Sequence, residues 1–451
     1  MTEPTIENRD CLASSEARDA ALACVEAGIA AGHPRAVVRD AVSLADDTLR
    51  VADATYDLRE YDELVVLGGG NAAAHVAAVL ETVLGDRIDG GVVVTDDPAD
   101  TARVAVREGD HPVPSERGVD GTREVLEAAD AAGEGTLVLA AITGGGSALM
   151  AAPAGGVSLA DLQATTDALL ESGADIGEIN AVRKHLSALK GGRLARRTAP
   201  ATIAAVILSD VVGNDLSVIA SGPLAPDAST FDDALAVLAR YEIDAPETVV
   251  DRLERGAAGE IAETPGPDDS AFEAVSNHVV ADGMTVLEAA RDAVVERGYE
   301  PLILSSRVRG EAREAATTHV AVAAEIRATG TPLEPPAAIL SGGETTVTVR
   351  GDGTGGPNQE FATSAALELA EGDENGSEGH VTVAAVDTDG IDGATDAAGA
   401  LVDGTTVVDP DAAREALAEN DVHPYLESRG ALVRTGRTGT NLNDLRILIV
   451  K

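Results

Sequence analysis

Short apolar runs recur along the chain, and each is followed by a polar or glycine-rich turn and then by residues with helical spacing. In the first half, the runs predict strands at Glu63–Leu67, Val92–Thr95, Thr136–Ile142 and Thr202–Ser209. In the second half, they predict strands at Pro301–Ser305, Ala337–Leu340 and Val381–Val386. Helices are predicted at Asn71–Leu84, Met284–Arg297 and Glu311–Thr329. Alternation of strand and helix is typical of α/β folds, so we expect mainly parallel sheets.

A segment rich in proline, glycine and acids, Glu242–Asp269, separates the two halves of this pattern. Such a composition is typical of a linker. The 451 residues also exceed the roughly 150 of one ordinary domain. We therefore expect an N-terminal domain over residues 1–262 and a C-terminal domain over residues 263–451. We further expect a solvated acidic loop at 371–379 and a short hairpin between Ser341–Thr346 and Gly355–Glu360.

Acidic residues far outnumber basic ones in this chain. There are 77 Asp and Glu against 33 Lys and Arg, which makes the net charge −44. Such a surface repels polyanions, which excludes nucleic-acid binding and docking on an anionic membrane. The lysines are confined to Lys184, Lys190 and Lys451. Acid excess with few lysines is typical of an extreme halophile, in whose cytosol salt screens self-repulsion, and an ordinary acidic protein is the alternative.

The small number of cysteines and the lack of a targeting or membrane-spanning segment bear on where the protein resides. Cys11 and Cys24 are too few for a disulfide framework or a metal knuckle. No apolar run reaches the roughly 18 residues that a membrane span needs. The first residues carry acids among the apolar positions, which speaks against a signal peptide. We therefore expect a cytoplasmic protein.

Two glycine-rich turns follow predicted strands. Gly68–Ala73 matches G-x-G-x-x-A, whose glycines let backbone N–H groups approach a phosphate at a helix N-terminus. A dinucleotide site also needs an acid at the end of the next strand, whereas Asp89 precedes that strand, so a tight turn is the alternative. Gly144–Ser147 can form an anion nest, with the Ser147 hydroxyl as an added donor. Leu149 excludes a G-x-S-x-G nucleophile elbow.

The segment Asn180–Arg197 concentrates basic residues and contains two of the three lysines. A continuing helix would bring four cations to one face, namely Arg183, Lys190, Arg193 and Arg197. A stripe of positive charge in an anionic chain predicts a clamp for phosphate or carboxylate. A solvated basic face that pairs with surface acids is the alternative.

Carboxylates stand at two places where a strand is predicted to end. Asp210 follows an apolar strand and is a candidate general base or Mg²⁺ ligand, while a turn capped by Asp215 is the alternative. The run Asp387–Gly393 fails as a calcium loop, because Ile391 occupies a ligand position. Its carboxylates, together with Asp396, still suit Mg²⁺, which needs one or two of them. The chain has no P-loop motif.

Taken in order, these segments resemble the class II glycerate kinases, the glycerate 2-kinase group with a C-terminal MOFRL domain, here at about residues 335–446. The resemblance covers nearly the whole chain and rests on the blocks Gly109–Pro114, Thr143–Met150, Asn180–Leu194, Leu208–Pro223, Ser341–Thr346, Gly355–Glu360, Thr388–Gly393 with Ala398-Gly399, and Thr438–Asp444. It implies two Rossmann-like three-layer α/β domains with mainly parallel sheets and an interdomain cleft. It also implies ATP- and Mg²⁺-dependent phosphoryl transfer to the 2-hydroxyl of D-glycerate, giving 2-phosphoglycerate. ATP and D-glycerate are then the partners, and a homodimer stays open.

The resemblance lets roles be assigned to particular residues. The catalytic candidates are Arg183, Lys190, Asp210 and Asn71. The substrate-binding candidates are Gly145, Gly146, Ser147 and Arg193. The nucleotide-binding candidates are Gly342, Gly343, Glu344, Asn358, Gln359 and Asn441, and the metal candidates are Asp210 and Asp389.

Three positions depart from the family pattern. Asn71 stands where the family usually has Lys, Pro357 where it usually has Arg, and Arg437 where Pro is common. An asparagine positions a phosphate without adding charge. Either Arg183, Lys190 or Arg437 compensates, or the acceptor is another small hydroxy acid. The rival classes are an NAD(P)H-dependent hydroxypyruvate reductase, which would use the first glycine turn, and a non-catalytic nucleotide- or anion-binding protein.

Overall fold

The structure is a computed structural model that describes residues 5–372 and 380–451. The acidic loop predicted at 371–379 therefore lies outside the described residues, apart from its first two positions. Within the described chain, no helix is long and apolar enough to cross a membrane.

Helices and strands follow one another along most of the described chain. The helices are α1 (Arg9–Leu12), α2 (Glu16–Gly32), α3 (Pro34–Ala41), α4 (Ala73–Leu84), α5 (Glu116–Ala131), α6 (Gly146–Leu149), α7 (Leu159–Glu171), α8 (Ile176–His185), α9 (Arg193–Thr198), α10 (Phe231–Arg240), α11 (Glu247–Ala257), α12 (Gly283–Val295), α13 (Ala312–Thr329), α14 (Pro357–Glu371), α15 (Pro410–Ala418) and α16 (Val422–Ser428). The strands are β1 (Val42–Ala45), β2 (Thr48–Val51), β3 (Ala54–Asp57), β4 (Glu63–Gly69), β5 (Gly90–Thr95), β6 (Ala105–Glu108), β7 (Thr136–Thr143), β8 (Thr202–Leu208), β9 (Val275–Ala281), β10 (Glu300–Val308), β11 (Ala337–Gly343), β12 (Val381–Asp387), β13 (Gly399–Asp403), β14 (Leu432–Val433) and β15 (Asp444–Val450). Each strand and helix predicted from the apolar pattern is present, with ends that move by a few residues.

The chain forms two compact units, which we call the central unit (residues 37–280) and the terminal unit (residues 1–36 with 281–451). This division differs from the boundary predicted after residue 262. Helix α2 packs on α12 and β15, so the first residues of the chain belong with the last ones. The proline-rich segment 242–269 contains α11, which packs on α7 and α10. That segment is therefore part of the central unit and not a linker.

The central unit is built on a six-stranded sheet in the order β6-β5-β4-β7-β8-β9. The strands from β6 to β8 are all parallel. All eight residues of β7 are buried, which is why its sequence is a continuous apolar run without alternation. Helices α4 and α5 pack on this sheet. A separate antiparallel meander, β1-β2-β3, is missing from the sequence prediction because its short strands contain no long apolar run.

The terminal unit has its own six-stranded sheet in the order β10-β11-β15-β12-β13-β14. Strands β10 and β11 are parallel, and the other neighbours are antiparallel. The mainly parallel arrangement thus holds for the central unit but not for the terminal one, where the last strand of the chain inserts between β11 and β12. A buried apolar run does not indicate the direction of a strand, so the pattern could not reveal this.

The short hairpin predicted between Ser341–Thr346 and Gly355–Glu360 does not form. In the described residues between β11 and α14, the backbone makes an isolated bridge from Thr346 to Glu311 instead. Pro357 begins α14. Proline fits this position, because the first N–H groups of a helix have no partner within the helix.

Candidate functional site

The two glycine turns of the central unit meet at the carboxyl ends of the neighbouring strands β4 and β7. The backbone N–H of Asn71 donates to the Gly144 carbonyl at 2.8 Å. The Asn71 side chain lies over Gly145, where a Cβ atom would overlap Asn71 Oδ1. Gly145 also has a left-handed φ of +76°, so both its conformation and this close approach require glycine.

Asp210, which follows β8, lies against the same turn. A Cβ atom at Gly144 would overlap Asp210 Oδ2. Because β4, β7 and β8 are adjacent and parallel, their carboxyl ends share one edge of the sheet. That edge brings the Asp210 carboxylate and the Asn71 amide to one pair of glycines.

The first glycine turn is shaped by strand packing. A Cβ atom at Gly68 would overlap the Ala141 carbonyl, and one at Gly70 would overlap Thr143 and the Gly144 carbonyl. The acid that the sequence did not reveal is nevertheless present, since Asp96 directly follows β5 beside β4. Asp96 accepts a hydrogen bond from Asn71 Nδ2 at 2.8 Å. This acid is therefore engaged with the site asparagine.

Ser147 is the first member of a chain of hydrogen bonds that was not predicted. Its Oγ lies 2.8 Å from Ser221 Oγ, and Ser221 donates to Asn180 Oδ1 at 3.1 Å. Ser221 is fully buried and Asn180 is 3 % exposed. Ala220 and Ser221 have left-handed φ values of 50° and 60°. A serine before Gly-Pro indicates a turn, so the sequence offered no signal for this contact.

The basic segment does not form the continuing helix that was predicted. Helix α8 ends at His185, and Gly191 and Gly192 have left-handed φ values of +59° and +76° before α9 begins. The prediction of four cations on one helical face is therefore wrong. Arg197 instead pairs with Asp130 at the surface.

Lys190 and Arg183 still lie close enough to interact electrostatically. Lys190 is 4 % exposed, and its Nζ donates to the Met150 carbonyl at 3.0 Å. Burial, and then the charge of Arg183, lowers the pKa of Lys190 to about 7. Burial also lowers the pKa of Arg183. Within the described residues, neither side chain forms an ion pair with a carboxylate.

Two other cations of this segment support its backbone. Lys184 Nζ pairs with Asp227 at 3.1 Å, and both side chains are buried. Arg193, a predicted substrate ligand, donates to the Lys184 carbonyl at 2.7 Å. The Gly191 amide donates to the Ser221 carbonyl at 3.1 Å. This hydrogen bond holds the turn that carries Lys190 to Ser221, which also contacts Ser147.

In the terminal unit, the predicted nucleotide-binding residues lie around the end of β11 and the start of α14. A Cβ atom at Gly343 would overlap the Val308 carbonyl, and its φ is +124°. The backbone amides of Asn358 and Gln359 both donate to the Asp392 carboxylate at 2.9 Å. The Gln359 side chain donates to it as well, at 3.0 Å. Asp392 therefore caps the helix and orients both residues.

The remaining nucleotide candidates lie near the same edge. Gly342 is buried in β11, whereas Glu344 is exposed and its amide donates to the Val308 carbonyl at 3.0 Å. Asn441 Oδ1 accepts from the Asn443 amide at 3.4 Å. Because β15 begins where the antiparallel β11 ends, these residues come to one side of the terminal sheet.

A buried ion pair in β15 holds this edge together and was not predicted. Arg446 is fully buried and pairs with Asp444. Asp444 also accepts from the Asn358 side chain at 2.6 Å and from the Thr345 amide at 3.1 Å. The available signal was an arginine inside an apolar strand, since a buried charge needs a partner.

The carboxylates predicted to hold a metal do not all come together. Asp387 accepts from the Asp389 amide at 3.0 Å, and burial raises the pKa of both carboxyls, with neighbouring carboxylates adding to the effect. Asp396 pairs instead with Arg434 at 3.2 Å. In the part of the chain that the structure describes, no three His, Cys, Asp or Glu side chains are grouped so that they could hold a metal ion.

Known proteins share both the sequence and this architecture. Residues 20–254 match the family described as a domain of unknown function, DUF4147, and residues 337–444 match the MOFRL family. The D-glycerate 2-kinase of Thermotoga maritima is 42 % identical over 410 residues, which cover 89 % of this chain and 94 % of that one. A putative hydroxypyruvate reductase of Agrobacterium vitis is 40 % identical over 427 residues, covering 92 % and 93 %.

The likeness extends to a solved structure. The crystal structure of a glycerate kinase from Thermotoga maritima superposes with a TM-score of 0.81 at 39 % identity, covering 95 % of this chain and 98 % of that one. The resemblance inferred from the sequence blocks is confirmed. The chain belongs to the family of glycerate 2-kinases that carry a MOFRL domain.

Proposed function

We propose that this chain transfers the γ-phosphoryl group of ATP to the 2-hydroxyl of D-glycerate in the presence of Mg²⁺, giving 2-phosphoglycerate. The observation that carries the proposal is the pair of Arg183 and Lys190. They have no carboxylate partner in the described chain, although acids outnumber bases by 77 to 33. Burying positive charge without a partner is costly. An anionic ligand would offset that cost, and phosphoryl transfer needs positive charge around the moving group.

Membership of the family supports the same conclusion. The relatives named D-glycerate 2-kinase and glycerate kinase align with nearly the whole of this chain. Alignment over both units means that the similarity is not limited to a shared binding module. The reaction named for those relatives is therefore the first one to test here.

In the central unit, the side chains at the strand ends divide the work. Lys190 and Arg183 bind the negative charge of the acceptor and of the phosphoryl group. Asp210, against Gly144, orients the 2-hydroxyl and accepts its proton. The Asn71 amide and the neighbouring glycine N–H groups position the acceptor. Arg193 contributes by holding the backbone of the basic segment.

In the terminal unit, the nucleotide contacts are assigned to Gly342, Gly343, Glu344, Asn358, Gln359 and Asn441. Asp444 holds the Asn358 side chain in place, and Asp392 holds that of Gln359. Binding a nucleotide would therefore cost little side-chain entropy at these two residues.

A magnesium ion fits Asp389 best. Asp387 and other carboxylates crowd Asp389, and a cation would relieve the repulsion that helps to raise their pKa values. Mg²⁺ needs one or two carboxylates and keeps several waters, so a larger ligand set is unnecessary. Asp210 is the second candidate ligand. When bound, Mg²⁺ neutralises charge on the phosphate chain.

The test is a kinase assay on the full-length chain in molar KCl with ATP, Mg²⁺ and D-glycerate. ADP release is measured, and phosphorus NMR assigns the phosphorylated carbon. We expect ADP and 2-phosphoglycerate in equal amounts, and far less of both from Lys190→Ala. No ADP release, or product phosphorylated at carbon 3, overturns the proposal.

The reductase remains the second candidate. It is favoured by the Agrobacterium vitis relative and by Asp96, which follows the strand beside β4, where dinucleotide folds place a ribose-binding acid. Oxidation of NADH with hydroxypyruvate tests it in the same buffer. A panel of small hydroxy acids tests whether Asn71, in place of the usual Lys, changes the acceptor.

A further inference from the structure

The Ser147–Ser221–Asn180 relay, as we call the chain of hydrogen bonds described above, runs from the half-buried Ser147 into the core of the central unit. Ser221 and Asn180 are excluded from solvent. Asn180 Nδ2 is buried without a hydrogen-bond partner among the described residues. Ser147 is therefore the one member of the relay that a ligand can reach.

The direction of the relay follows from counting protons. A serine hydroxyl has one proton to donate and lone pairs that accept. Ser221 donates its proton to Asn180 Oδ1. The contact between the two serines must then use the proton of Ser147. What Ser147 offers to a ligand is lone pairs alone.

We infer that Ser147 is a specificity-determining residue that accepts a hydrogen bond from a hydroxyl group of the acceptor, and that Ser221 and Asn180 impose this role on it. Carboxylate and sulfate oxygens have no proton to donate at neutral pH, so they gain nothing from a serine whose proton is already used. A substrate alcohol does. The inference rests on the proposed function, because it takes the acceptor to be a hydroxy acid.

The strained backbone beside Ser221 fits this purpose. Two consecutive residues without glycine's freedom, Ala220 and Ser221, hold left-handed φ values. Such conformations carry a free-energy cost and persist where surrounding contacts impose them. The Ser221 carbonyl accepts from the Gly191 amide, so the turn that carries Lys190 is held to the relay. Ser147, which would contact the substrate hydroxyl, and Lys190, which would bind negative charge, are thus joined by hydrogen bonds.

The experiment compares ligands that share a carboxylate but differ in hydroxyls. For the wild type and Ser147→Ala, we would measure KM for D-glycerate and inhibition constants for propionate and sulfate. We expect KM to rise about five- to tenfold, as the loss of one hydrogen bond requires, while both inhibition constants change less than twofold. An unchanged KM, or inhibition constants that rise in parallel, overturns the inference, since Ser147 would then act as a donor to anions.

A double-mutant cycle tests the relay itself. Ser221→Ala releases the proton of Ser147, so it should raise KM for D-glycerate in the wild type but have little further effect in Ser147→Ala. Effects that simply add overturn the coupling. Ser172→Ala, whose hydroxyl donates to the Leu169 carbonyl at the end of α7, is the matched control for folding.

Failure of the proposed function can be distinguished from failure of the inference about Ser147. If the wild type releases no ADP with D-glycerate, the kinase proposal fails, and calorimetry still decides the inference. Tighter binding of D-glycerate than of propionate that Ser147→Ala abolishes supports the role of Ser147. Equal binding of the two, or no binding of either, overturns it.

Discussion

The ammonium group of Lys190 donates to the carbonyl of Met150 at 3.0 Å, and the Met150 amide donates in turn to the Gly146 carbonyl at 3.0 Å. The buried lysine is thus connected through a short helix to the glycine turn that bears Ser147. Lys190 carries the positive charge, and the glycine turn with Ser147 carries neutral hydrogen-bond donors and acceptors. The charge of Lys190 is therefore held against the segment that carries the glycine turn.

Catalysis should depend on the positive charge of Lys190. We expect Lys190→Ala to lower kcat/KM for D-glycerate by about 10²- to 10³-fold, the usual effect of losing one stabilising group in a transition state. Steady-state kinetics measure it. Arg197→Ala is the matched control, because it removes one charge from the same segment at the surface, where Arg197 pairs with Asp130. Equal effects of the two variants would show that net charge, not position, matters.

The pH dependence follows from the lowered pKa of Lys190, which is about 7 in the free protein. Lys190 must be protonated to attract an anion. As pH rises through 7, the free protein loses this charge, so kcat/KM should fall by up to about tenfold per pH unit. Lys190→Arg keeps its charge in this range, so its profile should lack that decline. A wild-type profile that is flat between pH 7 and 9 would contradict the assignment.

Gly145 tests the contact with Asn71. Alanine at 145 would hold a left-handed φ of +76° and overlap Asn71 Oδ1. We expect Gly145→Ala to cost about 1 kcal/mol in stability and, by displacing the asparagine, about 10²-fold in kcat/KM. Gly155→Ala is the matched control, since a Cβ atom there meets nothing within 4 Å. Full activity of Gly145→Ala would remove this turn from the site.

Asp227 tests how the basic segment is supported. Its carboxylate pairs with Lys184, and both side chains are almost completely buried. Asp227→Ala leaves that lysine without a partner, so we expect a loss of about 3–5 kcal/mol in the free energy of unfolding. Asp130→Ala, which breaks the exposed pair with Arg197, should cost about 1 kcal/mol or less. Denaturant titrations in molar KCl measure both, and similar losses would argue against the buried pair.

Salt dependence tests the consequence of a net charge of −44. The Debye length, beyond which charges on a protein surface are screened from one another, is about 3 Å in 1 M salt and about 10 Å in 0.1 M salt. We expect the melting temperature and the circular dichroism signal to fall on dialysis into low salt, because acidic groups then repel one another. KCl and NaCl should restore both equally if screening is the cause. A spectrum unchanged in low salt would reject the halophile interpretation.

The amino-acid sequence by itself determined the local features of this protein. Apolar runs located seven strands of the two large sheets, including the fully buried β7 and β11, since a strand buried on both faces has to be apolar. Blocks such as Thr143–Met150 identified the family. The apolar runs also placed Asn71, Gly145 and Asp210 just beyond strand ends, which parallel pairing then brings to one edge.

Tertiary structure alone decided what depends on partners distant in the chain. The antiparallel insertion of β15, the contact of Ser221 with Ser147, and the turn that buries Lys190 each join segments that lie far apart in sequence. The helical pattern of the basic segment predicted a continuing helix, but left-handed glycines at 191 and 192 interrupt it. Periodicity describes a segment and its solvent, whereas burial and hydrogen bonding are set by whatever the fold places against it.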